Sequence, residues 1–403
     1  MPASAAAGVK SVPAPGPLFV GLLIALAATA PLALQIFLPA LPAIQAHFGV
    51  STGIAQLVFS LSIFANAIAT LAFGPLSDRF GRRPTIIFGM LAFTAGSALS
   101  AVAPDVWTLI LARILQSIGG AAGMVLARAV VRDLYARERA AQMIAYLIMA
   151  MVVAPMLAPT IGALLTDGFG WRAVFWFTTV AAVVLTLLVI RHLFETRPPE
   201  AGVGGFGLLG GAGYLLRQPT FLAYVLQSSF AISVFFSFLG GAPYFMVSIL
   251  GRPATEYGLY FILVSGGFMA GNFTSARVGQ RVGLDRMIWL GSVLALAGVL
   301  VAALLLESGL WHPVALFGPM MIAGFANGLS VPNAQAGAVS VDPALAGTAS
   351  GLAGFGQMFM AGLVSQAVGM LQDGTPNAML GFMTGCAILS VAGFVVPLRL
   401  ARR

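Results

Sequence analysis

Arg113 is the one charged residue set well inside a long apolar stretch, in LARILQSIGGAAG. An arginine in hydrocarbon costs about 2.5–3.5 kcal/mol on insertion scales unless it meets a cavity or a partner. Two readings follow. Either the guanidinium has a functional ligand, or it snorkels past Trp107, six residues and about 9 Å away along a helix, to the nearer interface. No acid stands beside it: the twelve carboxylates, Asp78, Asp105, Asp133, Glu138, Asp167, Glu195, Glu200, Glu256, Asp285, Glu307, Asp342 and Asp373, fall in connecting segments or at the ends of apolar runs.

The second cluster able to do chemistry is GPLSDRFGRRP, Gly74 to Pro84, where Asp78 sits among Arg79, Arg82 and Arg83. Its glycines Gly74 and Gly81 permit a tight connection, and a carboxylate there could sit at a helix N-terminus, where unpaired N–H groups and the dipole favour negative charge. The plainer reading is a topology signal and loop cap. Hydrolytic chemistry has no support. His47, His192 and His312 lie at run margins, and no HExxH, GxSxG or pair of aspartates falls within a run. GVGGFG at Gly202–Gly207 matches a dinucleotide fingerprint in form, but no strand precedes it, so a flexible linker is expected.

Composition decides what positions these residues. Of 403 residues, 59% are hydrophobic and 8% charged, and the mean hydropathy is +0.98. That is a polytopic membrane protein, and the net charge of +8 reports loop arginines rather than nucleic-acid binding. Twelve runs are long enough for membrane helices, near 18–38, 54–73, 85–103, 107–127, 142–165, 171–190, 220–239, 258–276, 287–306, 313–331, 346–370 and 377–397. All Lys and Arg except Arg113, Arg172 and Arg252 then fall on one side, which places both termini in the cytoplasm. The lone Cys386, in the last run, allows no intramolecular disulfide and reads as a packing residue.

The expected organisation is a tail over 1–17, a six-helix half over 18–190, a central cytoplasmic loop over 191–219, a second half over 220–397 and a tail over 398–403. ARVGQRVGLDR at Ala276–Arg286 occupies in the second half the place of GPLSDRFGRRP in the first, a weak parallel repeat. Such repeats are a transporter architecture, with a site near the midplane between the halves. Candidate path residues are Gln35, Asn66, Arg113, Gln116, Tyr146, Met149, Gln227, Phe230, Tyr260, Asn327 and Gln357; Met156, Ser228 and Phe235 accompany them. Amides, aromatics and methionines of this kind suit amphiphilic drug-sized molecules, although each alone reads as well as a helix contact.

On these residues the chain resembles the major facilitator superfamily. Gly74, Leu76, Asp78, Arg79, Gly81, Arg82 and Arg83 match its signature between helices 2 and 3. RILQSIGGAAG from Arg113 is similar to its RxxQGxG motif, with Ser117 for the usual Gly. APMLAPTIG, with Ala154, Pro155, Pro159 and Gly162, resembles the helix 5 antiporter motif as Bcr/CflA-type drug exporters carry it. FLPALP from Phe37, VRDLY from Val131 and LAGTASGL from Leu345 resemble the same subfamily.

The resemblance implies an all-α bundle of twelve helices in two pseudo-symmetric halves, acting as a monomeric multidrug exporter of the bacterial inner membrane by proton antiport. The proton gradient would supply the energy, without a cofactor. It implies that Asp78 docks at the start of span 11, near Gly347–Gly351, when the protein faces outward, and that span 5 meets Gly266, Gly267 and Gly271 of span 8. One departure matters: Gln35 stands where the subfamily has Asp, three residues before LPALP. An uncoupled facilitator or metabolite exporter is therefore the alternative, with Glu256 and Asp78 the remaining proton-carrier candidates.

Overall fold

A computed structural model describes residues 16–196 and 208–401. The Gly202–Gly207 stretch, all but the last two residues of the N-terminal tail, and Arg402 and Arg403 lie outside the described residues. Among the described residues every regular element is helical. The first half contains α1 (Pro17–Gln35), α2 (Leu41–Phe48), α3 (Thr52–Phe80), α4 (Arg82–Val102), α5 (Val106–Leu134), α6 (Arg137–Phe169) and α7 (Trp171–His192). A short α8 (Leu208–Leu215) precedes the second half, made of α9 (Pro219–Tyr244), α10 (Ala254–Val282), α11 (Leu284–Glu307), α12 (Pro313–Ser340), α13 (Ala346–Met370) and α14 (Asn377–Ala401).

Local chemistry explains the breaks. The first span divides at FLPALP, where Pro39 and Pro42 lack the N–H that a continuous helix would use, and each opens a new helical piece instead. Asp105 caps α5 by accepting from the backbone N–H groups of Trp107 and Thr108, both at 2.9 Å. Among the described residues eleven spans are long and apolar enough to cross a membrane. The twelfth, α13, has the length, but six glycines and the polar Thr348, Ser350, Gln357, Ser365 and Gln366 dilute its hydropathy.

Three expectations need correction. GPLSDRFGRRP is not a loop: α3 continues through Phe80, Gly81 alone reverses the chain, and α4 begins at Arg82. The central segment is not all linker, since α8 folds within it, and α14 runs through Ala401 into the supposed tail.

The halves repeat one packing scheme. α1 packs on α5, α6 and α7, and α4 on α5 and α7; α9 packs on α12, α13 and α14, and α11 on α12 and α14. The halves meet through α3 against α13 and α6 against α10, contacts that the same correspondence exchanges. This is a twofold-related pair of six-helix units. We call the end bearing the arginine-rich turns the basic end and the other the distal end. Toward the distal end one apolar core, including Phe37, Phe59, Phe175, Phe236, Phe261 and Val368, runs through both halves. Toward the basic end it divides into two cores, one around Leu26, Met90 and Leu126 and one around Phe221, Ile288 and Ala338.

Candidate functional site

The distal closure is built from small polar residues on the facing helices. Gln56 donates to Ser365 Oγ at 2.7 Å, Ser60 donates to Gln366 Oε1 at 2.6 Å, and Gln366 donates to the Gly53 carbonyl at 2.9 Å, tying α3 to α13. Backbones approach closely here: a Cβ on Gly53 would lie 3.2 Å from Met370 Cα. Between α6 and α10, Thr160 Oγ1 donates to the Gly258 carbonyl at 2.8 Å. Asp167 accepts from the N–H groups of Ala254 and Thr255 and from the Thr255 hydroxyl, at 3.3, 2.7 and 2.6 Å, so it caps α10 from the other half. Phe59 and Phe236 stack across the same seam with centroids 5.8 Å apart.

Toward the basic end α6 leaves its partner. Ala158 and Ala163 are fully buried, whereas Tyr146, Ile148 and Met149 are exposed, the last by 57%. Leu147 stays buried in the first half's core, and the halves part at this end because the apolar core divides in two here. Tyr146 and Met149, both sequence candidates, are exposed on this part of α6. Pro155 and Pro159 lie inside α6 at the change from splayed to packed.

The glycine pairing expected for the helix 5 motif is not formed. Gly162 backs onto the Ile36 carbonyl after α1, and Gly267 and Gly271 press on the α12 backbone at Met321 and Phe325. Gly266 faces open space. The glycine that admits α6 is Gly258, where a Cβ would stand 2.8 Å from Thr160 Cα. It escaped sequence reading because helical spacing does not say which neighbour a small face meets.

Arg113 does not snorkel. It is 1% exposed, with its guanidinium 4.0 Å from the Phe37 ring centroid and 5.9 Å from that of Phe175. It donates to Gln116 Oε1, and Gln116 donates to Ser97 Oγ at 2.7 Å. Nε and Nη2 have no hydrogen-bond partner among the described residues, and neither does the buried Gln35 Oε1. Two guanidinium nitrogens without acceptors in an apolar interior make a strong anchor for an acceptor group. Phe37, in the turn that opens the FLPALP break, and Phe175 and Ser97, from α7 and α4, complete this nest; neither Phe175 nor Ser97 carries a sequence signal.

The other candidates do not gather into one pocket. Gln227 donates to Ser292 and Ser390, at 2.9 and 3.4 Å, facing α11 and α14 inside its own half. Asn327 donates to the Ala231 carbonyl at 3.1 Å, and Gln357 accepts from Gln335 at 3.1 Å. Asn66 is buried with Nδ2 unpartnered among the described residues. Phe230 is partly buried against the distal core. Tyr260 lines an outward cleft at the distal end with Arg252, Glu256 and His312.

The signature turn is held by residues that local spacing could not reveal. Arg82 lies 2.8 Å from Asp78 and 3.1 Å from Asp133. Glu195, after α7, accepts from the N–H groups of Arg82 and Arg83 at 2.9 and 3.1 Å, capping α4. Arg83 donates to the Leu193 and Ile190 carbonyls at 2.7 and 2.9 Å. Arg79 lies over the neighbouring Phe80 ring, 5.3 Å from its centroid, and Gly74 lies within α3.

Twelve spans in two exchangeable halves, closed at one end and parted at the other, define a membrane transporter of the two-repeat class. Residues 23–365 match the Major Facilitator Superfamily, and the chain belongs to that family. It is 29% identical over 362 residues to Multidrug resistance protein D of Escherichia coli, covering 90% of this chain and 91% of that one. It is 26% identical over 368 residues to the Bicyclomycin resistance protein homolog of Haemophilus influenzae, covering 90% and 92%. Its fold resembles a bacterial homolog of the lysosomal transporter Spinster, inward-facing and unoccupied, with TM-score 0.73 at 17% identity over 96% of this chain and 97% of that one. It also resembles the peptide transporter POT in complex with sulfate, with TM-score 0.78 at 14% identity over 98% and 97%.

Proposed function

We propose that this protein exports small apolar or zwitterionic drug-sized compounds from the cytoplasm by alternating access, coupled to inward proton movement. The observation that carries the reading is the division of the single distal core into two at the basic end. Such a bundle exchanges access by rocking its halves about the central seam, breaking the Gln56–Ser365, Ser60–Gln366 and Asp167–Thr255 contacts. Both termini and the arginine-rich turns are then cytoplasmic, and the present state is inward-facing. In the opposite state Asp78 caps the start of α13 near Thr348 and closes the basic end. The resistance proteins among its relatives support drug-like cargo.

Arg113, against Phe37 of the broken first span, is the anchor for the cargo's hydrogen-bond acceptor. One observation favours the uncoupled alternative: no Asp or Glu stands among the buried side chains of the described residues. Purified protein in liposomes separates the two. Coupled export predicts uphill substrate movement driven by protons running down their gradient in the opposite direction, and a rate indifferent to the gradient overturns coupling. Arg113→Ala abolishes transport while folded yield and melting temperature hold; undiminished transport removes Arg113 from the path.

A further inference from the structure

Away from the seam between the halves, α10 and α12 leave two clefts on their outer flank. At the distal end lies a cavity of about 540 Å³, whose polar wall is Arg252, Glu256, Tyr260 and His312. Beneath it lies a second, of about 390 Å³, lined by apolar side chains and by Gly266, Gly267 and Ala270. The two share Leu263, so they form one groove, charged at the top and apolar below. From Glu256 to Ala270 along α10 is about 21 Å. That spans the roughly 15 Å of hydrocarbon in one leaflet together with part of its headgroup layer. Leu259, Ile262, Leu263, Met321 and Ile322 are exposed along the flank, as expected of a surface that meets lipid.

The charges at the top narrow the occupant. Arg252 and Glu256 stand 3.7 Å apart, each partly exposed, too far for a tight bidentate pair and close enough for both to meet one headgroup. His312 accepts the Val314 N–H on Nδ1 at 3.2 Å, which leaves Nε2–H as a donor on the same wall. A phosphate therefore finds Arg252 and His312, and a primary ammonium finds Glu256. An anionic headgroup would bring its phosphate to the Arg252 side with no cation for Glu256, and a quaternary ammonium cannot donate a hydrogen bond. Below, Gly266 has nothing within 4 Å of where a Cβ would stand, so the recess comes from a missing side chain.

We propose that this groove is a binding site for a zwitterionic glycerophospholipid with a primary ammonium headgroup, phosphatidylethanolamine in chemical class. The phosphate lies on Arg252 and His312, the ammonium on Glu256, and one acyl chain lies along Gly266 and Ala270. Seated between α10 and α12, the lipid braces the helix whose distal end α6 caps through Asp167.

Native mass spectrometry of the full-length protein with phosphatidylethanolamine, phosphatidylcholine and phosphatidylglycerol tests this. The wild type retains the ethanolamine lipid about tenfold over the others, the scale of one charge-assisted hydrogen bond. Glu256→Gln removes that preference without removing binding, and Gly266→Leu lowers retention of all three. Gly266→Leu enters open space, so its melting temperature stays that of the wild type. A photoactivatable acyl chain on the ethanolamine lipid labels the Gly266–Ala270 stretch. Equal retention of the three lipids by the wild type, unchanged retention in both variants, labelling elsewhere, or a dimer that Gly266→Leu dissociates overturns the proposal.

Discussion

The two glycine turns at the basic end, Gly81 and Gly283, share a backbone and differ in nearly everything attached to it. Gly81 has φ 94° and ψ 157°, Gly283 φ 89° and ψ 148°, each ending one helix and starting the next. That region of backbone space is essentially closed to residues with a Cβ. Around Gly81 the chain is locked: Arg82 is buried between Asp78 and Asp133, and Glu195 reaches back over the turn. Around Gly283 it is loose. The glycine is exposed, Arg277 lies over Phe273 of its own helix, and the tie given by Asp285 is a 2.9 Å hydrogen bond accepted from Tyr224. The repeated fold fixed the reversal in both halves, whereas the charge lattice was built in one.

The difference can be broken from the locked side first. Arg82→Ala leaves Asp133 partly buried without its cation and should destabilise the protein by about 3 kcal/mol, read as a lower thermal midpoint in detergent. Arg286→Ala, which removes an exposed arginine three residues after Gly283, should shift that midpoint little. A smaller effect comes from the glycines. Gly81→Ala meets both the forbidden backbone region and Glu195 Oε2, 2.6 Å from the new Cβ, whereas Gly283→Ala meets open space. Costs of about 2–3 and about 1 kcal/mol are expected. Equal costs would mean Glu195 swings aside freely. Smallest are Glu195→Gln and Tyr224→Phe, about 1 kcal/mol or less each, with Glu195→Gln the larger because a charged cap serves two N–H groups.

Much of this was legible in the chain. The twelve spans, the repeat and the signature turn follow from apolar runs and the positions of arginine, because hydrocarbon enforces helices and charge enforces ends. Even α13 was legible as a span, although its glycines and amides make it the least apolar. Less legible were the extents of the turns: SDRF reads as loop by charge, yet a helix leaving the membrane keeps its backbone hydrogen bonds, and α3 continues to Gly81. The candidate path residues were chosen by polarity within a span, which does not tell a cavity from a neighbour. Gln227 accordingly turned to Ser292 and Ser390 inside its own half.

The sequence by itself determined that this chain spans a membrane twelve times in two related halves, and that Arg113 stands alone among apolar residues. Those are properties of composition and spacing along one dimension. Only the tertiary structure decided that Arg113 lies against Phe37 and Phe175, that Glu195 and Asp133 secure the signature turn, and that Gly258 rather than Gly266 admits α6. These pairings join residues from different helices, whose rotation about their own axes is set by packing and leaves no period in the chain. The same packing closed the distal end and parted the basic one.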